Sequence, residues 1–363
     1  MSLAVVTLTV VTTLLAALTI LPLSSSPKWW VRAAEFPRIQ ISILLVAAVV
    51  ATLVLAPFTA LGWVVLGAQL GSLAYQAWWV IPYTKVFPVE VKRSRNAAIE
   101  RRLRLMTANV LTPNRNAGGL LAIIAAADPD IVVTLETDTW WQEQLAPLER
   151  DYPHVMRCPL DNLYGMHVYS RLPLSDCATE FLVEPGVPSM HAAVTLPSGA
   201  AVRVHFLHPA PPSPTENPES SQRDAELIIV ARSVAQESGP VVVTGDLNDV
   251  AWSATTRLFR KISGLLDPRV GRGMFNTYHA GHWYMRWPLD HIFHSRHFTL
   301  SQVKRLAAFG SDHFPLLTEL VLDPEGGASQ TGLDATTEDQ TRAGEIAGGE
   351  SVTPDAVPPP KDA

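Results

Sequence analysis

Apolar and polar residues are distributed unevenly along this chain, and the unevenness divides it into parts. Residues 1–83 are almost free of charged side chains and contain three apolar runs, 3–23, 41–58 and 61–83. Each run is close to the roughly 20 residues that a helix needs to cross a bilayer, and none carries a charge. The pattern predicts three membrane helices. A cleaved signal peptide is the alternative for the first run, but this run lacks a charged n-region and further spans follow it.

Aromatic residues lie near the ends of these runs, where amphipathic rings prefer the membrane interface. They are Trp29, Trp30, Trp78, Trp79 and Tyr83. Basic residues follow the first run and the third run, and with three spans these two segments lie on the same side of the membrane. The positive-inside bias makes that side cytoplasmic.

Residues 84–100 have the composition of a polar linker, and residues 101–322 show the periodicities of a folded domain. Alternation from 103 to 108 predicts a strand, and the apolar run 131–135 predicts a second. Further strands are predicted at 166–170, 192–196, 202–207, 240–244, 291–293 and 316–322, with helices at 119–127, 220–236 and 252–262. Many strands with a few helices between them favour stacked sheets faced by helices over a strict βαβ repeat.

Residues 323–363 contain too few apolar side chains to offset the entropy of ordering, so we predict a disordered acidic tail. This tail accounts for the formal net charge of -6, and the remainder of the chain is close to neutral. A broad basic surplus, the usual basis for sequence-independent binding to DNA, is missing. Two cysteines, Cys158 and Cys177, make neither a zinc cluster nor a disulfide framework.

Polar residues recur where the predicted strands end. They are Asn109, Glu136, His208, Asp246, Asn248, Asp290, Asp312 and His313. Each alone has an ordinary explanation as a turn former, a helix cap, a loop histidine or an ion-pair partner. Together they place carboxylates, amides and histidines on the loops of one rigid frame, where functional groups concentrate. Such oxygen-rich donors suit Mg²⁺ or Mn²⁺ and favour a hydrolase that acts on phosphoesters.

Short motifs also follow one another in a fixed order through the middle of the chain. They are Thr107-Ala108-Asn109-Val110, Leu135-Glu136, Tyr164-Gly165, Tyr169-Ser170-Arg171-Leu172-Pro173, His205-Phe206-Leu207-His208-Pro209, Gly245-Asp246-Leu247-Asn248-Asp249, Leu289-Asp290-His291-Ile292-Phe293 and Ser311-Asp312-His313-Phe314-Pro315. In order and spacing the motifs resemble those of the endonuclease/exonuclease/phosphatase superfamily, the DNase I-like group. The resemblance implies an α/β fold, a four-layer α/β/β/α sandwich, here preceded by three transmembrane helices.

The resemblance implies a metal site of Glu136, Asn109 and Asp312 that binds Mg²⁺ or Mn²⁺. Glu136 is then the main ligand with Asn109 beside it, and Asp312 either helps to hold the metal or orients His313. The first motif departs from the family pattern, because Val110 follows its asparagine where an aromatic residue is common.

The resemblance also implies catalytic roles for the remaining residues. Asp246 would position and deprotonate the attacking water, and Asn248 would hold a phosphoryl oxygen. His313 and His208 would bind the phosphate and stabilise its developing charge. Asp290 would support a histidine or the metal.

The anchor and the motifs together predict a membrane-anchored, metal-dependent phosphoesterase. Its predicted partners are the lipid bilayer and a substrate with a phosphoester or pyrophosphate bond, lipid-linked or from the cell envelope. A membrane-tethered nuclease is an alternative, which the missing basic surface disfavours because nucleic acid is held largely by charge. A non-catalytic scaffold is the other alternative, disfavoured because every expected catalytic position holds a competent residue.

Two matters stay open at the level of sequence. Membrane-anchored relatives with a similar three-helix plan face outward, so the resemblance implies an extracytoplasmic catalytic domain, whereas the basic residues imply a cytoplasmic one. The aromatic stretch 279–287 is a substrate wall, a membrane-facing lip, or packing under a long loop. The oligomeric state is not predicted.

Overall fold

The computed structural model describes residues 2–56, 59–95 and 98–359. The α-helices are α1 Leu3–Ile20, α2 Trp29–Arg32, α3 Arg38–Leu55, α4 Ala60–Val80, α5 Ala117–Ala127, α6 Thr139–Leu145, α7 Ser221–Val234, α8 Ala254–Ser263, α9 Pro324–Gly327 and α10 Thr337–Gly349. The β-strands are β1 Arg102–Asn109, β2 Ile131–Leu135, β3 His154–Cys158, β4 Met166–Ser170, β5 Leu174–Glu180, β6 Ser189–Thr195, β7 Ala201–Leu207, β8 Val241–Asp246, β9 Asp290–His294, β10 Phe298–Arg305 and β11 Leu316–Leu322.

Three helical segments are long and apolar enough to cross a membrane: Leu3–Leu23, Arg38–Leu55 and Ala60–Tyr83. They agree with the three runs predicted from the sequence, although α3 begins at Arg38, before the predicted start of the second run. The last two residues of that run, 57–58, lie outside the described residues.

Buried polar side chains hold these three helices together. Gln69 of α4 donates hydrogen bonds to the hydroxyl oxygens of Thr12 on α1, at 2.8 Å, and Thr52 on α3, at 2.9 Å. About two turns further along α4, Gln76 donates to the hydroxyl oxygen of Thr19 at 3.1 Å. Polar side chains facing the interior of an apolar bundle are stabilised by such pairing between helices. The bundle is therefore specified by side-chain hydrogen bonds as well as by apolar contact.

The strands form two mixed sheets, in the orders β10-β11-β1-β2-β4-β3 and β5-β6-β7-β8-β9. Apolar side chains between the sheets, such as Leu105, Val133, Val204 and Val242, form one buried cluster. Helices α5 and α6 pack on the outer face of the first sheet, and α7 and α8 pack on the outer face of the second. This is the four-layer α/β/β/α architecture that the sequence predicts.

A hydrogen bond between the two sheets aligns the strand ends that carry the site. The hydroxyls of Thr107 on β1 and Thr244 on β8 lie 2.9 Å apart. Both strands run toward the same edge, and their last residues, Asn109 and Asp246, each lie two positions further on. Because β2 runs parallel to β1, the end of β2 also reaches this edge.

The segment predicted as a polar linker, 84–100, is pinned to the first sheet over much of its length. Val91 is fully buried in the cluster between the sheets. The backbone N–H of Ser94 donates to the backbone oxygen of Leu300 on β10 at 2.8 Å. Arg93 forms an isolated β-bridge with the same residue. Residues 96–97 lie outside the described part of the chain.

The C-terminal segment 323–363 differs from the predicted disordered tail. Helix α10 begins with a capping box formed by Thr336 and Asp339, and it packs against α7. Ala343 and Ala347, one turn apart, are buried among the side chains of that helix. The small side chains allow close approach, which a count of large apolar residues does not detect. Residues 360–363 lie outside the described residues.

The N-terminal helical part, residues 2–83, and the α/β part are in direct contact. The indole Nε1 of Trp252 donates to the backbone oxygen of Glu35 at 3.0 Å, and the N–H of Ala254 donates to the Glu35 carboxylate at 3.0 Å. The hydroxyl of Tyr83 donates to the backbone oxygen of Ala251 at 2.6 Å. The loop after β8 is therefore held by the connection before α3 and by Tyr83, which follows α4.

Candidate active site

The predicted site residues come from the ends of several strands. Asn109 and Asp246 end β1 and β8, and Glu136 directly follows β2. Asp290 begins β9, which runs antiparallel to β8 so that the backbones of Asp246 and Asp290 are paired. His313 lies just before β11. The sheet topology therefore brings to one edge residues that are up to two hundred positions apart in sequence.

Asn109 connects two of the carboxylates. Its Nδ2 donates to Glu136 Oε1 at 2.8 Å and to Asp246 Oδ2 at 3.2 Å. Its own Oδ1 accepts the N–H of Leu111 at 3.0 Å, which fixes the orientation of the amide. Asn109 thus lies beside Glu136, as predicted, and the amide orients that carboxylate.

Glu136 is held at a sharp backbone turn, with a φ of 62°. Its backbone oxygen accepts the hydroxyl of Thr112 at 2.6 Å. The pKa of Glu136 is raised to about 7, mainly by burial and also by the charges of Asp312 and Asp246, although the Asn109 hydrogen bond and His313 act to lower it. The carboxylate is therefore buried beside other carboxylates.

His313 connects two further carboxylates. Its Nδ1 lies 2.8 Å from Asp290 Oδ2 and its Nε2 lies 3.4 Å from Asp246 Oδ2. Burial lowers the pKa of His313, but the charges of Asp290 and Asp246 outweigh burial and raise the pKa to about 10. The imidazole is therefore protonated near neutral pH, with both ring N–H groups directed at carboxylates.

Asp246, Asp290 and His313 could in principle form a metal site, since potential ligand atoms of all three lie within 4.8 Å of one another. Both nitrogens of His313, however, are occupied by the carboxylates. A protonated imidazole has no lone pair for a cation. This triad therefore suits proton handling and phosphate binding better than metal coordination.

His208 and Asn248 form the neighbouring wall. His208 is buried, and burial lowers its pKa to about 4, so its imidazole is neutral. Asn248 donates its side-chain amide to the backbone oxygen of Pro209 at 3.0 Å, and its N–H donates to Asp246 Oδ1 at 2.9 Å. Asn248 therefore joins the loop that carries His208 to the loop that carries Asp246.

Asp312 directly precedes His313 in the chain. Its charge acts on Glu136, Tyr278 and His313, so it belongs to the same cluster. The backbone oxygen of Asp312 accepts the N–H of Ala280 at 2.6 Å. All eight predicted residues thus lie around one edge of the sandwich.

The donor set fits a hard divalent cation. Glu136, Asp246, Asp290 and Asp312 supply carboxylate oxygens around one imidazolium, and burial makes the excess negative charge costly. Mg²⁺ and Mn²⁺ prefer such oxygen donors. Glu136 and Asp312 are the carboxylates of this group for which no hydrogen bond to His313 is found among the described residues.

Two tyrosines of the site were not predicted as site residues. The ring of Tyr278 lies 5.0 Å from that of His313, and the two residues pair through their backbones. The ring of Tyr164 lies 5.5 Å from that of His208, and its hydroxyl donates to Glu216 at 2.9 Å. Tyr164 lies in one of the quoted motifs, whereas Tyr278 lies in a long loop with no periodic pattern to place it.

Buried Arg223 supports the catalytic loop from behind. It donates to the backbone oxygen of Asn248 at 2.8 Å and forms an ion pair with Asp224, also at 2.8 Å. Asp249 lies 3.6 Å from the same guanidinium. These contacts hold the loop that begins at Asp246 without reaching the site itself.

Comparisons with known proteins agree with this fold. A model described as Endonuclease/Exonuclease/phosphatase family matches residues 106–313. An endonuclease/exonuclease/phosphatase from Beutenbergia cavernae DSM 12333 is 21% identical, with coverage of 61% of this chain and 72% of that chain and a TM-score of 0.48. The human Nocturnin catalytic domain with bound sulfate is 17% identical, with coverage of 66% of this chain and 98% of that chain and a TM-score of 0.51. TDP2 from D. rerio, complexed with a single-strand DNA product, is 17% identical, with coverage of 60% of this chain and 98% of that chain and a TM-score of 0.50. No curated protein matches the sequence.

Proposed function

The chain belongs to the endonuclease/exonuclease/phosphatase family, and we propose that it is a membrane-anchored hydrolase that cleaves a phosphoester or pyrophosphate bond with the help of a divalent cation. The observation that carries the proposal is the chain of hydrogen bonds and ion pairs from Glu136 through Asn109, Asp246 and His313 to Asp290. It joins an acid, a base and a cationic group at one edge of the sheets.

Glu136 and Asp312 would hold Mg²⁺ or Mn²⁺, with Asn109 keeping Glu136 in position. When bound, the cation supplies polarisation of a phosphoryl oxygen and a counter-charge for the cluster. The structural support is the oxygen-rich donor set, in which Glu136 is buried close to the carboxylates of Asp312 and Asp246.

Side chains of the protein would carry out the proton transfer and bind the phosphate. Asp246 is oriented by Asn109 and His313 and would accept a proton from the attacking water. His313, kept protonated by Asp290, would donate hydrogen bonds to the phosphoryl oxygens and stabilise the charge that develops there. Neutral His208 and the amide of Asn248 would bind the phosphate from the side of Tyr164.

The membrane helices favour a substrate that is concentrated at the bilayer, such as a lipid-linked phosphoester of the envelope. The connection between the first two of these helices contacts the loop after β8 directly, through Glu35 and Trp252. A phosphoesterase fixed in this way is held close to the headgroups of the surrounding lipids.

Hydrolysis by the full-length protein in detergent tests the proposal, with bis-p-nitrophenyl phosphate and plasmid DNA as substrates. Activity should require Mg²⁺ or Mn²⁺ and disappear with a chelator. Glu136→Gln should lower the rate at least about a hundredfold, the scale of removing a ligand or charge stabiliser. The matched control is Glu319→Gln on β11, a partly buried glutamate paired with Arg104.

The control should keep most of the activity, because Glu319 belongs to the arginine pair and not to the site. An active Glu136→Gln variant, or an equal loss in both variants, would contradict the proposal. Cleavage of plasmid DNA much faster than of the small diester would favour a nuclease instead.

A further inference from the structure

The loop of residues 279–287, called the aromatic loop below, exposes large apolar side chains next to the site. Trp283 is 80% exposed, Tyr284 is 54% exposed and Met285 is 39% exposed. Aromatic side chains of this size are usually buried in a folded protein, since each removes a large apolar area from water. Three consecutive exposed side chains of this kind indicate a surface that is covered in the working protein.

The aromatic loop lies at the end of a membrane helix. Gln40, in the first turn of α3, donates its side-chain amide to the backbone oxygen of Tyr284 at 2.8 Å. The ring of Phe36, just before α3, packs edge-on against Trp287 at 5.6 Å. The tip of the loop therefore lies at the level where α3 enters the membrane.

Exposed indoles at the ends of other membrane helices mark the same level. Trp30 follows the first span and is 48% exposed, and Trp78 lies in the last turn of α4 and is 68% exposed. Both ends are on the side of the α/β part, as is the start of α3. Indoles concentrate at the headgroup region of a bilayer, so Trp283 extends an aromatic belt that the helices already form.

The aromatic loop also leads directly to the site. Trp287 stacks on Tyr278 with ring centroids 6.1 Å apart, and Tyr278 lies 5.0 Å from His313. The N–H of Ala280 donates to the backbone oxygen of Asp312. A short series of packed rings therefore connects the start of α3 with the phosphate-binding histidine.

A second attachment lies on the other flank of the site. The backbone N–H of Ser220 donates to the backbone oxygen of Pro27 at 2.8 Å, and the backbone N–H of Trp29 donates to the backbone oxygen of Pro218 at 2.9 Å. The loop between β7 and α7, which contains Pro218 and Ser220, also carries Glu216. The Glu216 carboxylate accepts the hydroxyl of Tyr164, whose ring lies beside His208. The site is thus tied to the membrane end of the bundle on both sides.

We propose that the aromatic loop inserts Trp283 and Tyr284 into the headgroup region of the bilayer that the helices span, and that the site takes a phosphoester carried by a lipid in that leaflet. The choice of substrate rests on the proposed hydrolase function, whereas the insertion of the loop does not. The occupant is the bilayer and not a protein partner, because the exposed rings continue the aromatic belt of the spans.

Insertion is tested with the full-length protein in vesicles of phosphatidylcholine and phosphatidylglycerol. A fluorophore is attached at Tyr284→Cys, in a background with Cys158→Ala and Cys177→Ser, and lipids with quenchers at graded depths are added. We expect quenching at a depth of roughly 5–10 Å below the surface, as for interfacial aromatic segments. The control label is at Ser198, an exposed residue in the turn between β6 and β7, at the end of the sheet away from the site.

The control label should not be quenched. Equal quenching at both positions, or none at residue 284, would overturn the insertion. Shielding of the label at residue 284 that depends on protein concentration and not on lipid would assign the surface to a second copy of the chain.

The substrate class is tested by comparing phosphatidylglycerol and a polyprenyl pyrophosphate in these vesicles with bis-p-nitrophenyl phosphate in solution. In the double variant Trp283→Ser, Tyr284→Ser, the ratio of the lipid rate to the soluble rate should fall at least about tenfold, equivalent to about 1.4 kcal/mol of lost interfacial binding. Cleavage of the soluble diester with no cleavage of either lipid would overturn the lipid substrate. No cleavage of any substrate would overturn the proposed function, and the quenching result would still decide the insertion.

Discussion

Asp290 is expected to act through its contact with His313. Its carboxylate contacts His313 at 2.8 Å, and its other oxygen has no hydrogen-bond partner among the described residues. Asp290→Asn should lower kcat about a hundredfold with a smaller change in KM, because it removes support for the imidazolium. The double variant with His313→Ala should be no slower than His313→Ala alone, since the two residues act as a unit.

Steady-state kinetics of the two single variants and the double variant provide the measurement. Independent, multiplying losses in the double variant would show that Asp290 does not act through His313. If Asp290→Asn also lowered the melting temperature, and its activity fell only as far as the fraction of folded protein, the role of Asp290 would be structural only.

Glu226 provides a residue-scale prediction about pH. It is buried on α7, and burial, helped by the charge of Glu184, raises its pKa from 4.5 to about 8. A raised folded-state pKa means that its contribution to stability is complete below about pH 4.5 and is lost as the pH rises through about 8. Glu226→Gln should therefore gain stability over the natural chain on the order of 1 kcal/mol per pH unit in that window.

Melting temperatures of both proteins between pH 5 and about pH 8 check this expectation. The two curves should meet at low pH and separate at high pH. Parallel curves over the whole range would show that Glu226 ionises normally in the folded protein.

Some of the site residues could be predicted from sequence because they follow or end a recognisable apolar run. Glu136 follows 131–135, and Asp246 ends the run that begins at Val241. Their hydrogen bonds could not be predicted, since Asn109 reaches both carboxylates only through the pairing of β1 with β2 and the contact between the sheets. Tyr278 was missed because the backbone bridge that brings it to His313 has no signal in the sequence.

At the scale of elements, the sequence predicted the buried strands and missed three strands at sheet edges. The predicted strand 131–135 matches β2, and the predicted helix 220–236 contains α7. The missed strands β3, β5 and β10 all lie at the edge of a sheet. Their residues are partly exposed, so the alternation of apolar and polar side chains is weak in each of them.

Helix α10 gives a prediction at this scale, because the sequence pointed to disorder there. Ala347 is 2% exposed and packs against α7. Ala347→Leu should destabilise the protein by roughly 1–3 kcal/mol through overpacking. Thr341→Leu, at an exposed position of the same helix, is the matched control and should have little effect.

Thermal unfolding of the two variants provides the comparison. Equal melting temperatures for Ala347→Leu and the natural chain would mean that α10 does not pack on the domain in solution.

At the scale of the whole molecule, the three apolar helices and the α/β part form one connected structure. Val250, Ala251 and Trp252 share an apolar cluster with Tyr83 at the end of the third span. A fragment without the helices would expose this cluster directly behind the loop that carries Asp246. The functional unit is therefore the full chain in a membrane or detergent, and the measurements above use it in that form.

Binding of Mn²⁺ to the full-length protein, measured by calorimetric titration without substrate, tests the central claim most directly. The natural chain should bind the ion at the site, and Glu136→Gln should bind it at least about tenfold more weakly, a loss of about 1.4 kcal/mol. Glu319→Gln should bind it like the natural chain, because that glutamate is paired with Arg104. Unchanged Mn²⁺ affinity in Glu136→Gln would contradict a cation site built on this carboxylate.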